Sequence, residues 1–209
     1  MNINSVKFNP SFQKKLMAIG NVVKNNEPCA VSIYKLDKKE DKDYFAKLEE
    51  TPEWYLSTYL RFIGKDFDKS NLMNFFKNMF LEYYSIEDSY GRCLGIVEVD
   101  DNKRKTQNVE YLETFPANRW SRRYRYVGET MLAFLTKQQQ MKSNPKQIIV
   151  DTPMLDAQPF YLKSYLKYDD ETMHTLGMHL PKEREELLIK QNEEHTGAEI
   201  KFIGGKNAN

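Results

Sequence analysis

The sequence predicts a mixed α/β domain, a mostly antiparallel central sheet flanked by helices. Three observations carry this. Short β-branched runs at 83–88, 93–100 and 108–115 are separated by polar turns, as in a three-stranded meander. Longer stretches before and after them carry apolar residues at helical spacing. One run, KQIIVDTP, reads as a buried strand between two helical segments.

The elements follow in order. CAVSIYKL (29–36) is β-branched between charged flanks and is read as the first strand. EDKDYFAKLEE follows with an acidic start and helical spacing. In TPEWYLSTYLRFIGKDFDKSNLMNFFKNMF, Pro52 sits near a helix opening and Gly64 near a break, so two short helices are expected. YYSIED, a turn at SYGR, and CLGIVEVD form a hairpin, which NVEYLETF extends after the polar DDNKRKTQ. ETMLAFLTKQQQM is helical, with Met131, Leu132, Phe134 and Leu135 on one face. After KQIIVDTP, AQPFYLKSYLKY has helical spacing, PKEREELLIKQNEEH is a charged helix, and AEIKFIG is a last strand. Residues 1–203 are read as one domain and 204–209 as a flexible tail.

Composition narrows the function. Lys plus Arg number 31 against 30 for Asp plus Glu, so no global field draws the chain to nucleic acid or to an anionic membrane. Charge is nevertheless clustered: Arg119, Arg122, Arg123 and Arg125 lie in RWSRRYRYVGET, interleaved with aromatics and followed by Gly128. Such a stretch suits either a nucleic-acid surface or a phosphate held at a helix start. Cys29 and Cys93 sit far apart in strand-like contexts, and a reduced cytoplasmic protein is expected. MNINSVKFNPSF lacks the apolar core of a signal peptide, and no apolar run is long enough for a membrane span. There is no GxxxxGK[ST], no GxGxxG opening a βαβ unit and no GxSxG. His174, His179 and His195 have no metal-ligand spacing, so no metal is expected.

From the third meander strand onward, YLETFPANRWSRRYRYVGETMLAFL, IIVDTP and AQPFYLKSYL resemble the GCN5-related N-acetyltransferase (GNAT) superfamily. Thr114-Phe115-Pro116 stands at the family's strand end. Arg125, Tyr126, Val127, Gly128, Glu129 and Thr130 take the positions of its R/Q-x-x-G-x-G/A loop. The match covers roughly residues 86–168. It departs from the pattern at Thr130, at the insertion between Pro116 and the loop, and at Tyr165-Leu166 in place of Gly-Phe.

The resemblance implies an acyl-CoA-binding fold and acetyl transfer from acetyl-coenzyme A to a primary amine. It implies that the loop holds the pyrophosphate and that the pantetheine arm lies beside the strand ending at Thr114 and Phe115. It also puts Tyr161 at the general-acid position, although a core aromatic is an equal reading of that residue. The physics of the loop agrees: a helix N-terminus leaves amides unpaired and attracts anions. Gly128 lets backbone approach, and Arg125 adds a charged contact.

Strand alternation places Glu110, Leu112 and Thr114 on one face, which makes Glu110 the first candidate base, with Glu98 and Glu113 as alternatives. The aromatics Trp54, Tyr55, Tyr59, Phe62 and Phe67 belong to the core or to an acceptor pocket. The acceptor stays open between a small molecule and a protein amine, and a homodimer is also left open. Two other functions compete: a nucleic-acid or ribosome-associated protein using Arg119 to Arg125, and a GNAT-like binding module without catalysis.

Overall fold

The computed structural model describes residues 14–37, 40–49, 81–115, 123–151, 153–169 and 177–203. The helices expected over 51–80, Pro116, Arg119, Arg122 and the 204–209 tail lie outside the described residues.

The sheet begins one strand earlier than expected. β1 (Lys15–Lys24) and β2 (Glu27–Leu36) form a hairpin whose turn residues, Asn25 and Asn26, have φ of 52° and 69°. A tight hairpin needs positive φ at both central positions, and asparagine tolerates it. The meander follows as β3 (Leu81–Asp88), β4 (Cys93–Asp100) and β5 (Thr106–Thr114). The short strands β6 (Tyr124–Arg125), β8 (Lys167–Tyr168) and β9 (Met178–His179) carry too few residues to show a period in sequence. With β7 (Gln147–Val150) and β10 (Lys201–Phe202), the order is β10-β1-β2-β3-β4-β5-β7-β9-β8, and β6 pairs with β1. Among the described pairs only β5–β7 is parallel. This is the mixed, mostly antiparallel α/β architecture that the sequence predicts.

Helices cover both faces. α1 (Lys42–Glu49) packs Tyr44, Phe45 and Leu48 against Leu36, Tyr83 and Ile96. On the other face, α2 (Val127–Gln140) packs Met131, Leu132, Phe134 and Leu135 with Ala18, Val22, Ile33, Ile86 and Val97. α2 is buried continuously from Val127 to Thr136 because further helices close over it. These are α3 (Gln158–Lys163) and α4 (Glu185–Thr196), the latter preceded by a 3₁₀ turn at Lys182–Arg184. From β3 to α3 the described elements run meander, β6, helix, parallel strand, helix, which is the order implied by the motif resemblance with β6 added. No helix of the described residues is long and apolar enough to cross a membrane.

One polar knot ties the meander to the segment before α2. The Asp88 carboxylate accepts from the Arg92 guanidinium (2.6 and 2.8 Å), the Tyr124 hydroxyl (3.0 Å) and the amides of Tyr90 and Arg92 (2.9 and 3.1 Å). Burial alone would raise its pKa, but the donors of Arg92, Tyr124 and Tyr90 outweigh it and hold the carboxyl below its ordinary value. The stabilisation is therefore complete above the ordinary carboxylate range and is lost as pH falls through the lowered value. Asp88→Asn is expected to cost about 1–3 kcal/mol at neutral pH. Urea unfolding at neutral and acidic pH should show the gap to wild type closing under acid.

Candidate functional site

The site starts from a division in the sheet. β5 pairs with β7 only from Thr106 to Asn108, although β5 runs on to Thr114. β7 ends at Val150, one residue past this pairing, and β5 carries a bulge just beyond it. The register against β4 passes from Glu98↔Tyr111 to Val99↔Val109, which leaves Glu110 as the extra residue. A bulge bends and twists its strand, and the half of β5 beyond it, up to Thr114, has no pairing with β7.

The N-terminus of α2 lies at this end of β5. Val127 rests on β4 at Gly95, itself paired with Thr114. A Cβ at Gly95 would come within 2.9 Å of Val127 Cγ1 and 3.1 Å of the Glu113 carbonyl, so only glycine lets the helix start sit this low. Tyr126 precedes the helix in the left-handed region (φ 65°), and no side chain caps it. The amide of Thr130 donates to the Tyr126 carbonyl (2.8 Å), whereas the amides of Val127, Gly128 and Glu129 belong to the first turn, whose donors lack intrahelical acceptors.

Neighbours on different elements fix each loop residue. Gly128 faces α3: a Cβ there would stand 3.0 Å from the Phe160 ring. The freedom of this glycine thus serves helix packing as well as any close approach of a ligand. Glu129 turns towards α4 and accepts from Gln191 (2.8 Å), Asn192 (3.4 Å) and His195 Nδ1 (3.0 Å). Thr130 is fully buried, donates to the Asn21 carbonyl (3.3 Å) and accepts from Asn192 (2.9 Å). Its hydroxyl explains the departure from Gly or Ala, because it pins α2 to β1 and α4. Tyr126 stacks on the His195 ring (centroids 4.3 Å apart). Arg125 lies exposed on β6 and donates to Asn26 Oδ1 (2.6 Å) in the β1–β2 turn.

The other expected residues are placed as follows. Tyr161 on α3 is buried, its ring edge-on to Phe160 (5.1 Å), and burial pushes its hydroxyl up to about 12. It is thus a protonated donor at neutral pH. Leu112 and Thr114 pair with Val97 and Gly95, on the α2 face, and Phe115 packs in the cluster on the α1 face. Glu110 is the extra residue of the bulge and is exposed. The carboxylates buried near this end are Glu98 and Glu113, on the α1 face beside Tyr111, whose hydroxyl donates to Glu113. The Cys93 thiol is pushed up to about 12 by burial and stays protonated, which makes it a poor nucleophile.

No family model matches the sequence, and no curated protein matches it. Solved structures do. The chain is similar to the AtaT toxin bound to the C-terminus of its antitoxin AtaR and acetyl-CoA, with 14% identity, 57% of this chain and 79% of that one covered, and a TM-score of 0.42. It is similar to nourseothricin acetyltransferase at 16% identity, with 50% and 68% covered and a TM-score of 0.38. Ard1 from Thermoplasma volcanium matches at 13% identity, with 71% and 93% covered and a TM-score of 0.40.

The residues that sequence reasoning missed are Gly95, Phe160, Asn192 and His195, which position the first turn of α2 from three separate elements. Among the described residues no group of His, Cys, Asp or Glu has the arrangement of a metal site. Replacing Gly95 with valine forces Val127 or the β5 backbone to move. Gly95→Val is expected to lower stability by about 1–3 kcal/mol in urea unfolding.

Proposed function

We propose that the chain is a GNAT-type N-acyltransferase that moves an acetyl group from acetyl-coenzyme A to a primary amine. One observation carries the reading: an uncapped helix start, seated on Gly95, beside the end of β5 that runs on past β7. The first-turn amides of Val127, Gly128 and Glu129 would hold the pyrophosphate, favoured by the positive end of α2. Arg125, with Tyr126, would add charge and surface at the outer phosphate end. The stretch of β5 that ends at Thr114 and Phe115 would flank the pantetheine arm. Glu129 and Thr130 act differently from direct ligands: their side chains turn to α4 and β1 and orient the turn whose backbone does the binding.

In such a transfer the amine nitrogen attacks the thioester carbonyl, an oxyanion forms, and its collapse breaks the carbon–sulfur bond. One proton leaves the amine and one reaches the departing sulfur. Tyr161 is assigned the second role, as a buried phenol that keeps its proton at neutral pH. Glu110, exposed on the bulge, is the first candidate to take the amine proton, with Glu98 and Glu113, the buried carboxylates on the α1 face, as alternatives.

Calorimetric titration with acetyl-coenzyme A tests the reading. Wild type should bind it saturably, and Gly128→Glu should not, because the new side chain places bulk at Phe160 and a negative charge at the helix start. A circular dichroism melt of the variant separates lost binding from lost fold. Salt-dependent oligonucleotide binding with no uptake of acetyl-coenzyme A would instead favour the nucleic-acid function. Tyr161→Phe should leave cofactor affinity within about twofold and lower turnover by about 10²-fold or more. Unchanged turnover would remove Tyr161 from the mechanism.

A further inference from the structure

The α1 face of the sheet holds a largely enclosed ammonium. Lys14 stands just ahead of β1, and its side chain reaches over β2 to β3. There its Nζ lies 2.7 Å from both carboxylate oxygens of Glu87. The same Nζ sits 4.9 Å from the ring centroid of Tyr34 on β2 and 4.5 Å from that of Tyr44 on α1. The two charged side chains are 13% and 3% exposed. Ser85 donates to Glu87 Oε1 (3.1 Å), which orients the carboxylate through a group other than the lysine.

Three elements thus converge on one cation. A buried ion pair returns little net stability against its desolvation cost. A carboxylate flanked by aromatic faces is, however, the chemistry that recognises an alkylammonium: one charge partner, with electron-rich rings around the remaining N–H and CH₂ groups. The location agrees. Glu87 pairs with Cys93, whose thiol donates to the Gly95 carbonyl (3.4 Å), and Gly95 is where α2 rests on the opposite face. The cage therefore lies across the sheet from the start of α2.

We propose that Glu87, Tyr34 and Tyr44 form a binding site for a primary alkylammonium group, with Lys14 as its built-in occupant. An external amine, from a lysine side chain or a polyamine, enters when the Lys14 side chain withdraws. The inference goes beyond the acyl-transfer reading and does not depend on it. If both hold, the cage anchors the acceptor amine and Lys14 competes with it.

The test measures binding alone, so its failure leaves the acetyl-coenzyme A titration untouched. Lys14→Ala is titrated with n-butylammonium chloride against sodium chloride at equal ionic strength, by calorimetry and thermal melting. Saturable binding in the millimolar range is expected, at least about tenfold weaker in wild type, where Lys14 competes. Glu87→Gln added to Lys14→Ala should abolish it. Spermidine and a lysine-containing tripeptide are then compared, and whichever binds the tighter names the source of the amine. No saturable binding to Lys14→Ala, or binding indifferent to Glu87→Gln, overturns the proposal. Should Lys14→Ala fail to fold alone, recovery of its circular dichroism spectrum with n-butylammonium but not with sodium supports the site. Failure with both cations, while Lys14→Ser folds and binds no n-butylammonium, overturns it.

Discussion

The position of α2 rests on the contact between Val127 and the bare α-carbon of Gly95. Where a methyl group would otherwise stand, the valine side chain fills the space, and the helix start is brought down onto β4 opposite the last residue of β5. The consequences spread outward from there. α2 must enter the sheet at this one place, so its axis, its buried face and the direction of its first amides are set together. Phe160 then closes on Gly128 from one side, and Asn192 and His195 close on Thr130 and Glu129 from the other. The polar contacts do not create the arrangement but lock it, since none of them could form with the helix a few ångströms higher.

The sheet contributes the second half of the site by failing to continue. Parallel pairing between β5 and β7 lasts three positions, because β7 ends at Val150 while β5 runs on to Thr114. The stretch of β5 beyond β7 has backbone polar groups that β7 does not pair. The two halves are coupled through the Gly95–Thr114 pair, which belongs to both.

Much of this was legible in the residues. The meander, α2 and the loop RYVGET could be read from alternation, helical spacing and a glycine before an apolar run, because those signals are local. Other features depend on partners far away in sequence. Glu129 and His195 stand 66 residues apart, and nothing near either announces the contact. β1 was missed because Gly20 interrupts its pattern and Asn-Asn is a weaker turn signal than Asn-Gly. The bulge at Glu110 was not legible either, because alternation assumes an unbroken pleat and a bulge has no clear mark in a single sequence. Thr130 looked like a flaw in the motif, yet its hydroxyl is a structural tie.

The short strands at the sheet margin have a consequence of another kind. β1 is ten residues long, and its outer side is met by β10 at Ala18 and Ile19 and by β6 at Val23 and Lys24. Between them, the Asn21 side chain donates to the Thr196 carbonyl (3.4 Å) at the end of α4. A long, flat strand margin is a template on which another chain can add itself and start aggregation. Here two strands of two residues each, drawn from distant parts of the sequence, act as patches that interrupt the template. The loop that introduces α2 is one of those patches, so a lesion that frees it would threaten solubility as well as the site.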